Sequence, residues 1–420
     1  MLTYKAGDEI LSSTPFVYVL GRESRGRVCD YCFSECGNLK RCAACKCVYY
    51  CNKPCQRQAW QDHKVECAAL CKVAPNVPET LVRYFCKLLV KLSNKVVWFE
   101  TETVFERKRC FADLMSHVDS IKKDQHRLKE FQKLWETAKV FLDKKYIPEP
   151  DVGLEIYGKM VINSYCICNA ELSSVGTGLY LGPSILDHSC VPNAHAVYEG
   201  HKLLLRAAEN ISCDSVEGIR VSYIDVMAPK EVRMQELSSQ YYFLCSCKRC
   251  CNKVPDCVSE MSSTLTASVK DKIKELEGNV VERKETLQQL RQWSEAFQEE
   301  LPVQDYARIL AADLLSKCCL GLEDYKAALP PYLEREPIYR ECYGQHSPIY
   351  AVLLYSIAKL YHVTVQLEKA MEYFKKAEAV LATSHGRSHP LYMHLTEAYD
   401  HCKFEMENPG RGKGVTVKAL

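Results

Sequence analysis

The sequence predicts a multidomain α+β chain. Strand-rich segments lie near the N-terminus and in the middle, with a cysteine-rich metal module and a helical stretch between them and an all-helical part at the C-terminal end. Three observations carry this. Ligand-type residues between Cys29 and Cys67 recur at two- and three-residue spacings. Apolar residues within 75–150 keep the i, i+3, i+4 spacing of a helix face. Gly344-Gln345-His346-Ser347-Pro348-Ile349-Tyr350 returns as Gly386-Arg387-Ser388-His389-Pro390-Leu391-Tyr392, a period of 42 residues.

At 420 residues the chain is too long for one ordinary core, so two to four domains are expected. A formal charge of +2 makes no global case for nucleic acid or an acidic membrane. No run approaches the roughly 18–20 apolar residues of a membrane span. Met1 to Asp8 contain no apolar h-region, so no signal peptide is expected. The 25 cysteines are the anomaly, and in a reducing compartment such closely spaced thiols read as zinc ligands. Cytosol or nucleus is the expected location.

Residues 1–28 open with a turn signal at Lys5-Ala6-Gly7-Asp8 that leads into Glu9-Ile10-Leu11, followed by an apolar strand at Phe16-Val17-Tyr18-Val19-Leu20. Residues 29–67 then carry Cys29-x2-Cys32, Cys42-x2-Cys45, Cys51-x3-Cys55 and His63-x3-Cys67, eight ligands for two tetrahedral sites. So short a segment cannot build its own core, so metal binding would be its folding energy. Cys36 and Cys47 fall outside the pattern and read as spare thiols. The series resembles a MYND finger, whose interleaved ligation would give Cys29, Cys32, Cys51 and Cys55 one zinc and Cys42, Cys45, His63 and Cys67 the other. Nine Lys/Arg against five Asp/Glu between Gly21 and Cys67 read as a solvated or protein-docking face. MYND fingers bind proline-rich peptides, which the resemblance makes a candidate partner class. Direct DNA binding is not expected, because this ligation presents no recognition helix.

Residues 68–153 read as helical, with Leu81-Val82-x-Tyr84-Phe85-x-x-Leu88-Leu89 and Leu128-x-x-Phe131-x-x-Leu134 as apolar faces. Residues 154–225 hold the central motifs. Met160-Val161-Ile162-Asn163-Ser164-Tyr165 is followed by Gly176-Thr177-Gly178-Leu179-Tyr180. Leu186-Asp187-His188-Ser189-Cys190-Val191-Pro192-Asn193 is then paired with Val221-Ser222-Tyr223-Ile224-Asp225. These motifs resemble those of SET-domain lysine methyltransferases, and with the finger the chain resembles the SET-and-MYND (SMYD) family along nearly its whole length.

The resemblance implies a β-rich SET domain split by the finger and a helical insertion. Residues 1–28 would be its N-terminal part, 154–225 its catalytic core and 226–260 a post-SET zinc segment. Cys190 with Cys245-x-Cys247-x2-Cys250 would hold a third structural zinc, for which Cys251 and Cys257 are competing ligands. Residues 261–407 would form a TPR-like helical domain, consistent with Glu323-Asp324-Tyr325-Lys326-Ala327-Ala328 and Leu367-Glu368-Lys369-Ala370-Met371 starting comparable helices. Its concave face would take a chaperone or another protein. The tail from 408 to 420 is expected to be disordered.

The same resemblance implies S-adenosylmethionine as methyl donor and a lysine of a histone or non-histone protein as acceptor, meeting through a narrow channel. Tyr223 would be the catalytic residue. His117, Asn163, Asp187, His188, Tyr241 and Phe243 would face the cofactor, and Tyr165, Tyr223 and Tyr241 would line the lysine channel. His188 would act by its backbone. Three departures from the family pattern bear on activity. The Gly-rich cofactor-facing strand that the family places ahead of such a start is not found in this sequence, as expected of a truncated form or a diverged relative, Asp187 stands where the family has Asn, and Ser212-Cys213-Asp214-Ser215-Val216-Glu217-Gly218 replaces a shorter turn. The alternative is therefore a catalytically weak or silent scaffold that mediates protein contacts in transcriptional regulation.

Overall fold

The computed structural model describes residues 1–278 and 283–408. Of the expected disordered tail, all but Asn408 lies outside the described residues. The chain opens with β1 (Leu2–Tyr4), β2 (Glu9–Ser13) and β3 (Val17–Leu20). In the finger, the short pair β4 (Lys40–Arg41) and β5 (Tyr49–Tyr50) precedes α1 (Lys53–Val73). Asn52 caps α1 by accepting from the Cys55 N–H, with Pro54 in the first turn. Helix α2 (Thr80–Leu92) buries Phe85, Leu88 and Leu89.

Residues 75–150 are not helical throughout. An antiparallel hairpin of β6 (Glu102–Val104) and β7 (Arg107–Arg109) interrupts them, turned by Phe105 and Glu106 at φ 49° and 64°. Helices α3 (Val118–Ile121), α4 (Gln125–Phe141) and α5 (Pro150–Asn163) follow. A Cβ on Gly158 would stand 2.3 Å from the Ser116 carbonyl oxygen, so only glycine lets α5 lie this close to the segment carrying His117.

The central strands are β8 (Ser164–Cys168), β9 (Ser174–Leu179), β10 (Asp187–His188), β11 (Ala194–Glu199), β12 (Lys202–Ala207), β13 (Ile211–Cys213) and β14 (Arg220–Val221). Each N-terminal strand pairs with one of them: β1 with β13, β2 with β12 and β3 with β9. The finger and the helices after it are thus inserted into one β-unit built from both sides of the insertion. Ile10, Leu20, Leu203, Leu205, Ile211 and Ile219 share its core.

Helix α6 (Lys230–Tyr241) leads into the second cysteine cluster. The helical array then runs α7 (Ser263–Gly278), α8 (Arg283–Glu300), α9 (Tyr306–Gly321), α10 (Tyr325–Tyr343), α11 (Pro348–Val363), α12 (Leu367–Ser384) and α13 (Pro390–Glu407). The 42-residue repeat is a repeated helix start. Ser347 caps α11 and His389 caps α13, each followed by proline at the first helical position. These loops also dock the array on the β-unit. His346 Nδ1 donates to the Ala208 carbonyl at 2.8 Å, and His389 Nε2 donates to the Tyr198 carbonyl at 3.1 Å. Between them, Arg206 of β12 reaches the carbonyls of Thr383 and Gly7.

Candidate functional site

The cysteine clusters assemble first. Cys29, Cys32, Cys51 and Cys55 converge, as do Cys42, Cys45, His63 and Cys67, each set with its ligand atoms within 4.8 Å of one another. Thiolates bound to a tetrahedral zinc at 2.3 Å stand roughly 3.8 Å apart. Here Cys32 and Cys51 sulfurs are separated by 3.4 Å and those of Cys42 and Cys67 by 3.8 Å. His63 points Nε2 at Cys45 while its Nδ1 meets the buried Glu66 carboxylate at 3.1 Å, which in turn accepts from Arg83 at 2.8 Å. A carboxylate behind a ligating histidine sets its tautomer and basicity. Both sets fit zinc with no open position, so the ions would be structural.

Cys190, Cys245, Cys247 and Cys250 form a third such set, with Cys190 and Cys250 sulfurs 3.6 Å apart. The competing thiols are elsewhere. Cys251 is exposed, and Cys257 is disulfide-bonded to Cys342 of α10. The loop is held by Asp256, which binds the guanidinium groups of both Arg233 and Arg249. His188 does more than its backbone was expected to do. Its Nδ1 accepts from the Tyr223 N–H at 3.0 Å, which leaves the proton on Nε2, facing the Cys190 sulfur at 3.3 Å. Burial, with the Arg233 and Arg220 charges, pushes its pKa down to about 4. The neutral ring therefore ties the third cluster to Tyr223.

Two cavities meet at Tyr223. One, of about 920 Å³, is lined by His117, Asn163, Asp187, His188, Tyr223, Tyr241 and Phe243, among others. The other, of about 580 Å³, is walled by Tyr165, Tyr223 and Tyr241 and faces the helical array at Tyr343 and Ser347. Their shared residues are Ile162, Asn163, Ser184, Tyr223 and Tyr241. The Tyr223 and Tyr241 ring centroids are 5.1 Å apart, so the wall the two cavities share is aromatic at this point. The Tyr223 hydroxyl donates to the Leu186 carbonyl, and burial, with the nearby Asp187 carboxylate, raises its pKa so that it stays a phenol at neutral pH. Tyr165 sits behind it with its hydroxyl on the Pro183 carbonyl at 2.9 Å.

Every residue expected on the cofactor side lines the larger cavity, but three differ in detail. Asn163 spends its amide donors on the carbonyls of Met115 and Lys159, both at 2.8 Å, so what it can offer a ligand is its Oδ1. His117 is not inside a helix. It caps α3 at φ 48°, with its ring centroid 5.6 Å from that of Tyr242. Asp187 does not present a bare negative charge, because Arg220 Nη1 binds its carboxylate at 2.7 Å across the parallel bridge β10–β14. The altered turn at 212–218 also has a task, since Ser212 and Cys213 pair with Thr3 and Leu2 of β1.

Three further residues shape the site without a motif to announce them. Lys159 is buried, and its Nζ donates to the Ala112 and Leu114 carbonyls at 2.7 and 2.9 Å. It thereby pins the His117 segment to α5. Tyr343 of α10 donates to Asp225 at 2.7 Å, which brings the helical array over the smaller cavity. Cys166 lines the same wall, its thiol drawn down to about 6, chiefly by a hydrogen bond from Cys168.

Known proteins resemble the chain in sequence. The MYND finger family matches residues 29–67. Histone-lysine N-methyltransferase SMYD3 of Mus musculus is 29% identical over 406 residues, covering 95% of this chain and 93% of its own. N-lysine methyltransferase SMYD2-A of Danio rerio is 28% identical over 429 residues, 96% and 93% of the two chains. Histone-lysine N-methyltransferase ASHR1 of Arabidopsis thaliana is 27% identical over 449 residues, 96% and 92% of the two chains. With likeness end to end, a MYND finger, a β-unit split around it and a helical array behind, the chain is similar along nearly its whole length to SET-and-MYND lysine methyltransferases.

Proposed function

We propose that this protein is a protein-lysine N-methyltransferase that uses S-adenosylmethionine. The observation that carries the reading is a pair of cavities that share a wall containing Tyr223 and Tyr241. When bound in the larger cavity, S-adenosylmethionine supplies a methyl group on a sulfonium. The chain's own residues do the rest. Asn163 offers an acceptor oxygen suited to an ammonium, and His117 and Phe243 offer ring surface. On the other side, a lysine side chain passes between Tyr165, Tyr223 and Tyr241. Leaving water for an aromatic channel disfavours its charged form and so frees the nucleophilic lone pair. The Tyr223 phenol, its own proton given to Leu186, keeps lone pairs that can accept from the amine and orient it. Alignment of two reactants held on opposite sides supplies most of the acceleration.

Acceptors are proteins, of histone or non-histone type. A role in chromatin regulation and residence in nucleus and cytoplasm belong to the same proposal, as do proline-rich peptides at the finger and a chaperone or other protein on the helical array. The test is calorimetric titration of the zinc-loaded chain with S-adenosylmethionine and its demethylated product, followed by a lysine-peptide screen. Micromolar binding with methylated product supports the enzyme. A folded protein that binds neither leaves the scaffold reading.

A further inference from the structure

Outside the three cysteine clusters, two imidazoles and a carboxylate come together in the helical array. His401 and Glu405 are one turn apart on α13 and so share a helix face, while His362 approaches them from α11. His362 Nε2 lies 3.0 Å from one Glu405 oxygen, and His401 Nδ1 lies 3.7 Å from the other. The two imidazole centroids are 5.6 Å apart. One ligand atom from each of the three residues falls within 4.8 Å of the other two. Donors on a tetrahedral zinc at 2.0–2.1 Å stand roughly 3.4 Å apart, so the observed separations lie near that spacing.

Burial is graded across the cluster. The His362 side chain is 3% exposed, while His401 and Glu405 are 25% and 23% exposed. Phe374 of α12 stands edge-on to the His362 ring at 6.1 Å and backs it with apolar surface. An ion held here would be enclosed on the protein side and open to solvent on the other. Two imidazoles and one carboxylate around such an opening suit a borderline divalent cation that completes its shell with water.

We propose that His362, His401 and Glu405 form a fourth cation site, for zinc or a similar first-row divalent ion, which ties the last helix α13 to α11. It differs in kind from the cysteine-rich sets, having no sulfur ligand and an open position. Its occupancy would therefore follow free metal at concentrations that leave the closed sites full.

The test uses the full chain carrying three zinc equivalents after dialysis against metal-free buffer. It is titrated with zinc chloride, with bound metal counted by mass spectrometry, and separately with cobalt(II). A fourth equivalent taken up at micromolar zinc is expected, with its affinity lowered about tenfold or more in His401→Ala and Glu405→Gln. Cobalt at this site should give visible ligand-field bands without the near-ultraviolet thiolate bands of the cysteine sites. Both variants lie on a partly exposed helix face, and His362→Gln tests the buried ligand while keeping a polar side chain there. Stoichiometry that stays at three under saturating zinc overturns the proposal, as does a fourth equivalent kept by both α13 variants, and the cluster is then a hydrogen-bonded clip without metal.

Discussion

Tyr223 is fixed by contacts to three residues: its hydroxyl on Leu186, its N–H on His188 and its carbonyl beneath the Tyr241 hydroxyl. Removing only the hydroxyl should leave two of the three. Tyr223→Phe is expected to lower turnover about a hundredfold through loss of alignment. The lost hydrogen bond should cost about 1 kcal/mol of stability. Paired rate and melting measurements decide, and a loss of stability as severe as the loss of rate would make the tyrosine structural. Asp187 and Arg220 invite a double-mutant cycle on cofactor affinity. Asp187→Asn and Arg220→Ala should each weaken binding about threefold, and the double change should recover most of it, as coupled neighbours do. Strict additivity would mean the pair does not act as a unit. Asp187 was legible as a departure from a motif, but its partner was not. Arg220 lies 33 residues on and arrives through a two-residue parallel bridge that carries no periodic signal.

At the scale of elements, the finger was legible because its ligands are local and their spacings repeat. The hairpin at 102–109 was not. Its strands are only three residues long and the second is wholly basic, and its turn places Phe105 and Glu106 at positive φ, where Asn-Gly would have been the readable sign. The close seat of α5 was equally hidden, since a glycine inside an apolar helix reads as tolerated rather than required. Gly158→Ala should push the 111–117 segment outward, lowering stability by about 1–3 kcal/mol, as overpacking does. A chemical denaturation midpoint unchanged by that methyl group would show that the Ser116 carbonyl can move aside at no cost. Cys245→Ala should release one zinc equivalent and loosen the loop that bears Phe243. Unchanged metal content would remove the third site.

For the whole molecule, the repeated loops of the helical array hold it to the β-unit, and burial holds His385 and His195 at that junction neutral. His385 is pushed down to about 3, chiefly by burial, with the His389 and Arg206 charges adding to it, and His195 is pushed to about 4 by burial alone. The unfolded chain takes up these protons near pH 6.5, whereas the folded protein takes them up only near those lower values. Stability is therefore intact above pH 6.5 and falls as pH drops from there toward 3–4. Urea midpoints between pH 7.5 and 5 should show this slope, and it should flatten in His385→Gln. An identical slope in the variant would place the acid sensitivity elsewhere. The period of 42 announced helices in the sequence, but not that its histidines grip backbone carbonyls some 140 to 190 residues upstream. Nothing local to His346 or His389 encodes Ala208 or Tyr198 as a partner.

The aromatic wall at Tyr223 has a kinetic consequence. Two cavities that share little more than one wall give the two reactants separate doors. If the larger cavity takes the donor and the smaller the acceptor, spent donor would leave through one door and be replaced while the acceptor chain rests in the other. On the proposed assignment, a lysine that has received one methyl group would not need to withdraw before the next arrives, and the space around Tyr165 and Tyr241 would then limit how many it can carry.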